Sequence, residues 1–122
     1  MFKGALNIEA VDGEDSYILT TPIQYTTVEG RVITIPKGFE TNFASVPNFC
    51  KIYIDDNSHF IRMPSVVHDM LYSAQSAEYG FTRKEADLIL MQACIEKGMR
   101  VRKAKLIYYI LRAFGKANYE DR

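Results

Sequence analysis

The stretch MPSVVHDMLYSAQS (residues 63–76) decides the architecture of this 122-residue chain, because strand-like sequence gives way there to helical sequence. Its apolar side chains recur at helical spacing, which predicts a helix over residues 63–76. Pro64 stands in the first turn of this helix, where the missing backbone N–H leaves no hydrogen bond unmade. The rest of the fold is predicted outward from this helix.

Two further helices are predicted after the first. The second covers residues 82–97, and Thr82-Arg83-Lys84-Glu85 at its start is a capping-box pattern. The third covers residues 100–114 and ends before Gly115. Its apolar side chains follow helical spacing, and we expect four cations on the other side of the helix: Arg102, Lys105, Arg112 and Lys116.

The first half of the chain is rich in β-branched and aromatic residues and predicts strands. The predicted strands are residues 16–20, 22–27, 31–35 and 51–54. The middle two form a hairpin around Val28-Glu29-Gly30, and residues 37–49 are predicted to be an ordered irregular loop. This order of elements predicts an α+β fold, with a small antiparallel sheet followed by three α-helices in a single domain over residues 1–122.

Composition excludes several classes of protein. The chain is 48% hydrophobic and 25% charged, as ordinary globular domains are, so it is not a disordered, collagen-like or disulfide-scaffold sequence. Its two cysteines, Cys50 and Cys94, have no metal-binding spacing and indicate reduced thiols in an intracellular protein. We see no signal peptide and no apolar stretch long enough to span a membrane.

Charge is balanced over the whole chain but not along it. Residues 1–60 hold 4 basic and 8 acidic side chains, and residues 61–122 hold 11 and 7. The zero net charge argues against a nucleic-acid-binding protein. A basic cluster without acids nevertheless suits phosphates or an acidic partner, with a solvated helix start as the alternative. Its members are Lys97, Arg100, Arg102, Lys103 and Lys105.

The candidate catalytic residues are His68, Asp87 and Tyr72. His68 and Tyr72 share one face of the first helix. Asp87 lies beside the apolar stripe of the second, where a carboxylate needs a partner. Contact between these helices would let Asp87 orient the His68 imidazole, as in many hydrolytic sites where a histidine activates water. The alternative is a structural polar contact that fixes helix register, with Tyr72 as a core aromatic.

The predicted loop offers a second candidate site. Thr41, Asn42 and Ser45 carry side-chain oxygens, and together with Asp69 they would form a hard oxygen site suited to Ca²⁺. The alternative is that these side chains satisfy their own turns.

Three motifs follow one another along the chain: Pro36-x-Gly38-Phe39-x-Thr41-Asn42-x-Ala44-Ser45-Val46-Pro47, Val67-His68-Asp69-x-Leu71-Tyr72 and Arg83-x-x-Ala86-Asp87. Together they resemble a family of small phage and prophage proteins that is catalogued as a domain of unknown function. The resemblance covers about residues 15–116. It implies a phage context, other phage or host proteins as partners, and a location in the host cytoplasm or the virion.

The segment His68-Asp69-Met70-Leu71-Tyr72 is also similar, more distantly, to the active helix of secreted-type phospholipases. This resemblance implies that His68 activates water, that Asp87 orients His68 and that Tyr72 helps to hold Asp87. It further implies that Asp69 binds Ca²⁺ with loop oxygens near Asn42.

Three function classes remain as hypotheses. The first is a virion or tail accessory component that uses the His-Asp helix as a scaffold, and the second is a phospholipase-like hydrolase. The third is an inhibitor that binds a host protein through the basic third helix. A membrane lipid surface is a further candidate partner. Exposure of His68 to solvent would favour the hydrolase, and full enclosure would favour the scaffold.

Overall fold

The computed structural model of the chain describes residues 1–11, 16–41 and 61–119. Within them, six strands precede three α-helices, which confirms the predicted α+β class. The elements are β1 (Phe2–Lys3), β2 (Ile8–Ala10), β3 (Tyr17–Leu19), β4 (Ile23–Thr26), β5 (Val32–Ile35), β6 (Glu40–Thr41), α1 (Arg62–Tyr72), α2 (Arg83–Glu96) and α3 (Val101–Phe114), with short 3₁₀ helices at Ala74–Tyr79 and Gly115–Asn118. The strand predicted at residues 51–54 lies outside the described residues.

The strands form two small antiparallel sheets, in the orders β1-β4-β5 and β2-β3-β6. The predicted hairpin is present as β4 and β5, which pair from Ile23 with Ile35 to Thr26 with Val32. Alternate side chains of this hairpin, including Tyr25, are buried, as expected for a sheet with one face on the core. Gly30 has a φ of +89° in the connecting turn, a conformation that L side chains rarely adopt.

Three strands were not predicted. β1 and β2 have two and three residues, too few for an alternating pattern to show. β6 lies within the segment that was predicted to be an irregular loop. It pairs with β3, with Thr41 opposite Tyr17 and Glu40 opposite Ile18. The loop prediction is therefore wrong at residues 40–41, and residues 42–49 lie outside the described part of the chain.

The first helix ends earlier than predicted, at Tyr72 rather than near residue 76. Ser73 adopts an extended backbone conformation, and a 3₁₀ helix follows. The Ser73 hydroxyl donates to the carbonyl of Met70, and the Ser76 hydroxyl donates to the carbonyl of Leu71. These side chains take up carbonyls that a longer helix would have bonded through its backbone.

α2 is the layer that joins the two parts of the core. Ala86, Ile89 and Ala93 pack into the cluster made by the strands and α1. Leu90 and Cys94 pack into a second cluster with α3. The capping box at Thr82 is confirmed: its hydroxyl accepts from the Glu85 N–H, and the Glu85 carboxylate accepts from the Thr82 N–H. Because α2 packs on both α1 and α3, polar side chains of all three helices meet inside the fold.

Candidate functional site

As predicted, α1 and α2 are in contact through His68 and Asp87. His68 Nε2 lies 2.8 Å from Asp87 Oδ1, and both side chains are 0% exposed. The Tyr72 hydroxyl donates to the same carboxylate oxygen. The His68 and Tyr72 rings are also in contact, with their centroids 4.0 Å apart. The helical spacing of His68 and Tyr72 thus lets one helix supply two donors to one oxygen.

The second carboxylate oxygen of Asp87 faces two arginines. Arg112 Nη1, from α3, donates to Oδ2 at 3.1 Å, and Arg83 Nη1, one turn before Asp87 on α2, lies 3.9 Å from it. Side chains from all three helices therefore meet at a single buried carboxylate. We call this set the Asp87 cluster; its members are His68, Tyr72, Arg83, Asp87 and Arg112.

The Asp87 cluster holds its carboxylate ionised. Burial by itself raises the pKa of Asp87 and is the largest single influence on it. The hydrogen bonds from His68 and Tyr72, the charge interaction with His68 and the hydrogen bond from Arg112 together outweigh burial. The net result is a pKa below the usual value of an aspartate. Burial and the Asp87 carboxylate together raise the pKa of Tyr72, so its hydroxyl stays protonated as a donor.

The other ring nitrogen of His68 is unusual. Within the described residues, no hydrogen-bond partner reaches the buried His68 Nδ1. Because the ionised Asp87 carboxylate only accepts, His68 Nε2 is the donor in their bond. In the neutral imidazole, Nδ1 then carries a free lone pair, which is the position from which a histidine takes a proton from water.

Arg83 also binds the end of α3. Its Nη1 donates to the carbonyl of Leu111 at 3.0 Å, and its Nη2 donates to the carbonyl of Arg112 at 3.2 Å. Carbonyls in the last turn of a helix have no partner within the helix, and a cation there also interacts favourably with the helix dipole. Arg83 therefore joins α2 to α3 at the Asp87 cluster.

Tyr72 and Arg83 lie close to the end of α3 because residue 115 is a glycine. A Cβ atom on Gly115 would lie 2.8 Å from the Tyr72 hydroxyl oxygen and 3.3 Å from Arg83 Nη1. The first distance is shorter than real Cβ contacts, so a larger residue at position 115 requires the Tyr72 side chain or the backbone to shift.

Sequence reasoning missed both arginines as site residues. Arg112 was placed opposite the apolar side of the third helix, with no site role; its side chain is 32% exposed and bonds Asp87. Only the packing of α3 on α2 determines that contact. For Arg83 a signal existed, because it precedes Asp87 by four residues and so shares its helical face.

The predicted calcium ligands are only partly described. The Thr41 hydroxyl donates to Asp69 Oδ2 and links β6 to α1. Asn42 lies outside the described residues, as does Ser45. Among the residues that are described, no group of three or more His, Cys, Asp or Glu side chains is arranged to hold a metal ion. The calcium site stays a prediction.

The five residues of the predicted basic cluster differ in their exposure and contacts. Lys97 closes α2 and lies over the ring of Phe2, with Nζ 5.0 Å from its centroid. Arg100 precedes α3 as its exposed N-cap residue. Arg102 and Lys105 are exposed on α3, whereas Lys103 is half-buried. The five cations therefore differ in how far they are exposed to solvent. No helix in the described part of the chain is long and apolar enough to cross a membrane.

Fold and site together define a small α+β protein whose three helices meet at a buried carboxylate. The family model described as "Protein of unknown function (DUF1353)" matches residues 17–111, and the chain belongs to this family. The match includes His68, Tyr72, Arg83 and Asp87, and it ends one residue before Arg112. Comparisons with curated proteins and with solved structures gave no significant match.

Proposed function

We propose that this chain is a phage-encoded accessory protein of the virion or tail with a structural, non-enzymatic role. In this role the Asp87 cluster holds the three helices as one rigid platform. The observation that carries the proposal is the complete enclosure of His68 and Asp87, both 0% exposed, at a point where three helices share one carboxylate. Full enclosure is what a scaffold requires and what a substrate-accepting site avoids.

The energetics of the cluster support a positioning role. A buried ion pair adds little net stability, because desolvation offsets most of the attraction. Removing one partner is nevertheless costly, since it leaves a charge buried without compensation. Asp87 therefore favours the one packing of α1, α2 and α3 in which His68, Tyr72 and Arg112 reach it together.

The phage assignment is supported by the sequence motifs and not by the geometry. It is tested in the phage or prophage that encodes the chain. Mass spectrometry of purified particles should detect the protein, and deletion of its gene should give defective particles that the wild-type gene rescues. Normal, fully infectious particles without the protein would overturn the structural role.

A second candidate, a hydrolase, is favoured by one specific observation. His68 Nε2 faces Asp87, while no partner within the described residues reaches Nδ1. In this alternative, Nδ1 takes a proton from a water that attacks the carbonyl of an ester or amide, and returns it to the leaving oxygen or nitrogen as the C–O or C–N bond breaks. Asp87 orients the imidazole, and Tyr72 positions Asp87. A phospholipid is the substrate class that the similarity of the His68–Tyr72 segment to phospholipases would suggest.

Two substitutions at His68 separate the candidates. His68→Ala removes the whole contact with Asp87, whereas His68→Gln keeps an amide donor near the position of Nε2 but supplies no base. The assays are urea unfolding and hydrolysis of phospholipid vesicles and a chromogenic ester. The structural proposal expects no turnover by the wild type, a loss of roughly 2 kcal/mol or more in His68→Ala, and partial recovery in His68→Gln.

The hydrolase makes the opposite prediction for the same variants. Wild-type turnover should be measurable and should disappear in His68→Gln at an unchanged melting temperature. That result would overturn the structural proposal and establish the second candidate.

A further inference from the structure

We infer that the solvent-facing side of α3 docks on an anionic lipid surface. The buried residues of this helix, which define its inner side, are Ala104, Ile107 and Leu111. At 100° per residue, the side chains on the opposite side fall within an arc of about 100°. We call them the outer face of α3; they are Arg102, Lys105, Leu106, Tyr109 and Ala113.

Apolar side chains form the middle of the outer face. Leu106 is 43% exposed and Tyr109 is 65% exposed, one turn apart on the same side of α3. Tyr109 makes an edge contact with the ring of Tyr108, their centroids 5.4 Å apart, which supports its ring at the surface. Exposed apolar side chains that lie next to each other, rather than singly, are typical of an interaction surface, and tyrosine is enriched where a membrane meets water.

Cations surround this apolar centre. Arg102 and Lys105 are exposed on the outer face, and Arg100 and Lys116 are exposed beyond the two ends of α3. Residues 97–119 contain no Asp or Glu in the sequence, so no acid of this segment offsets them. Arg112, by contrast, turns inward to Asp87. The partner that complements this face is therefore anionic.

Lipid fits the outer face better than a nucleic acid does. A nucleic acid needs the cations but gains little from an exposed Leu106 beside Tyr109. A bilayer surface uses both, because the apolar side chains enter the interface while the long stems of Arg102 and Lys105 let their charges reach the headgroups. The inference goes beyond the proposed function, since none of the outer-face residues belongs to the Asp87 cluster.

Vesicle flotation tests the inference with the full chain. Vesicles of phosphatidylcholine mixed with phosphatidylglycerol should carry the protein upward, and vesicles of phosphatidylcholine alone should not. Binding to the mixed vesicles should weaken as salt is raised. The double variant Arg102→Glu/Lys105→Glu should lose affinity by about tenfold or more. The matched control Lys37→Glu/Lys84→Glu reverses two exposed lysines elsewhere and should bind as the wild type does.

A fluorescent reporter tests the depth of contact. The chain contains no Trp, so Tyr109→Trp introduces a single tryptophan. The fluorescence emission of this tryptophan should shift to shorter wavelength when the mixed vesicles are added. Val28→Trp, at an exposed position in the β4–β5 turn, should not shift. Equal binding to both vesicle types, equal losses in the two charge-reversal variants, or a duplex oligonucleotide that displaces the protein from vesicles would each overturn the inference.

Discussion

Arg112 Nη1 donates to Asp87 Oδ2 at 3.1 Å, so α3 is bonded to the same carboxylate that His68 reaches from α1. The two carboxylate oxygens bond different helices: Oδ1 accepts from His68 and Tyr72 of α1, and Oδ2 accepts from Arg112 of α3. Asp87 itself is 0% exposed, so in the intact cluster its hydrogen bonds come from protein donors and not from bulk water. The effects of substitutions around this carboxylate should therefore be coupled.

Asp87→Ala should lower the free energy of unfolding by about 3–5 kcal/mol, because it leaves donors from two other helices without their acceptor. Asp87→Asn should cost less, since the amide oxygen still accepts hydrogen bonds. Urea unfolding measures both. A loss below about 1 kcal/mol in Asp87→Ala would contradict a cluster that organises the helices.

Arg112→Ala provides a milder variant in case Asp87→Ala does not fold. Its side chain is partly exposed, so screening by solvent reduces the expected loss to about 1–2 kcal/mol. Within a double-mutant cycle with Asp87→Asn, the two changes should not add. Additive losses would show that the bond between Arg112 and Asp87 contributes nothing to stability.

Acid should destabilise the protein through Asp87. The folded state lowers the pKa of this carboxyl, while the unfolded chain has an ordinary value of about 3.9. The unfolded state therefore binds the proton more readily, and the stabilisation present above about pH 4 is lost as pH falls through the folded pKa. Unfolding free energies across this range should show a shallower dependence on pH for Asp87→Asn than for the wild type. Equal slopes would contradict the prediction.

Gly115→Ala should cost about 1–3 kcal/mol, because the added methyl group meets the Tyr72 hydroxyl. Backbone strain does not contribute, since Gly115 has a helical φ of −78°. Removing the hydroxyl with Tyr72→Phe should relieve the clash. The cost of Gly115→Ala should thus be smaller in the Tyr72→Phe background than in the wild type. Lys116→Ala, at the next and exposed position, controls for the added alanine.

The central pair could be predicted from sequence because of where Asp87 falls in its helix. A carboxylate beside the buried stripe of Leu90 and Cys94 needs a partner, and His68 was a polar residue on the neighbouring, mostly apolar helix. The capping box at Thr82 was predictable for a similar reason, since all of its bonds are local. Local patterns and the solvation cost of a buried charge thus predicted much of the fold and three members of the Asp87 cluster, but neither arginine.

The remaining contacts depend on packing that no local pattern encodes. Arg112 lies on the polar side of an amphipathic helix, and only the angle at which α3 meets α2 turns it toward Asp87. The end of α1 depends on whether the Ser73 and Ser76 hydroxyls take backbone carbonyls, and helical periodicity does not report this choice. β1 and β2 form only because β4 and β3 offer them an edge.

Cys94 should be inert to alkylation in the folded protein. Its side chain is buried between α2 and α3, and burial raises the pKa of its thiol to about 12, so almost no thiolate forms near neutral pH. In a Cys50→Ser background, Cys94 is the sole thiol. Iodoacetamide should label it slowly in buffer and rapidly in concentrated urea. Equal rates under the two conditions would show that α3 separates readily from α2.

Arg83→Lys should destabilise the junction of α2 and α3 although it keeps the charge. The guanidinium of Arg83 donates through separate nitrogens to the carbonyls of Leu111 and Arg112, a fork that an ammonium group cannot reproduce. We expect a loss of about 1–2 kcal/mol in urea unfolding. Lys84→Arg is the matched control, since it makes the reverse exchange at the exposed neighbouring position and should change stability by less than about 0.5 kcal/mol. If Arg83→Lys proves as stable as the wild type, charge at the end of α3 is sufficient and the paired hydrogen bonds are dispensable.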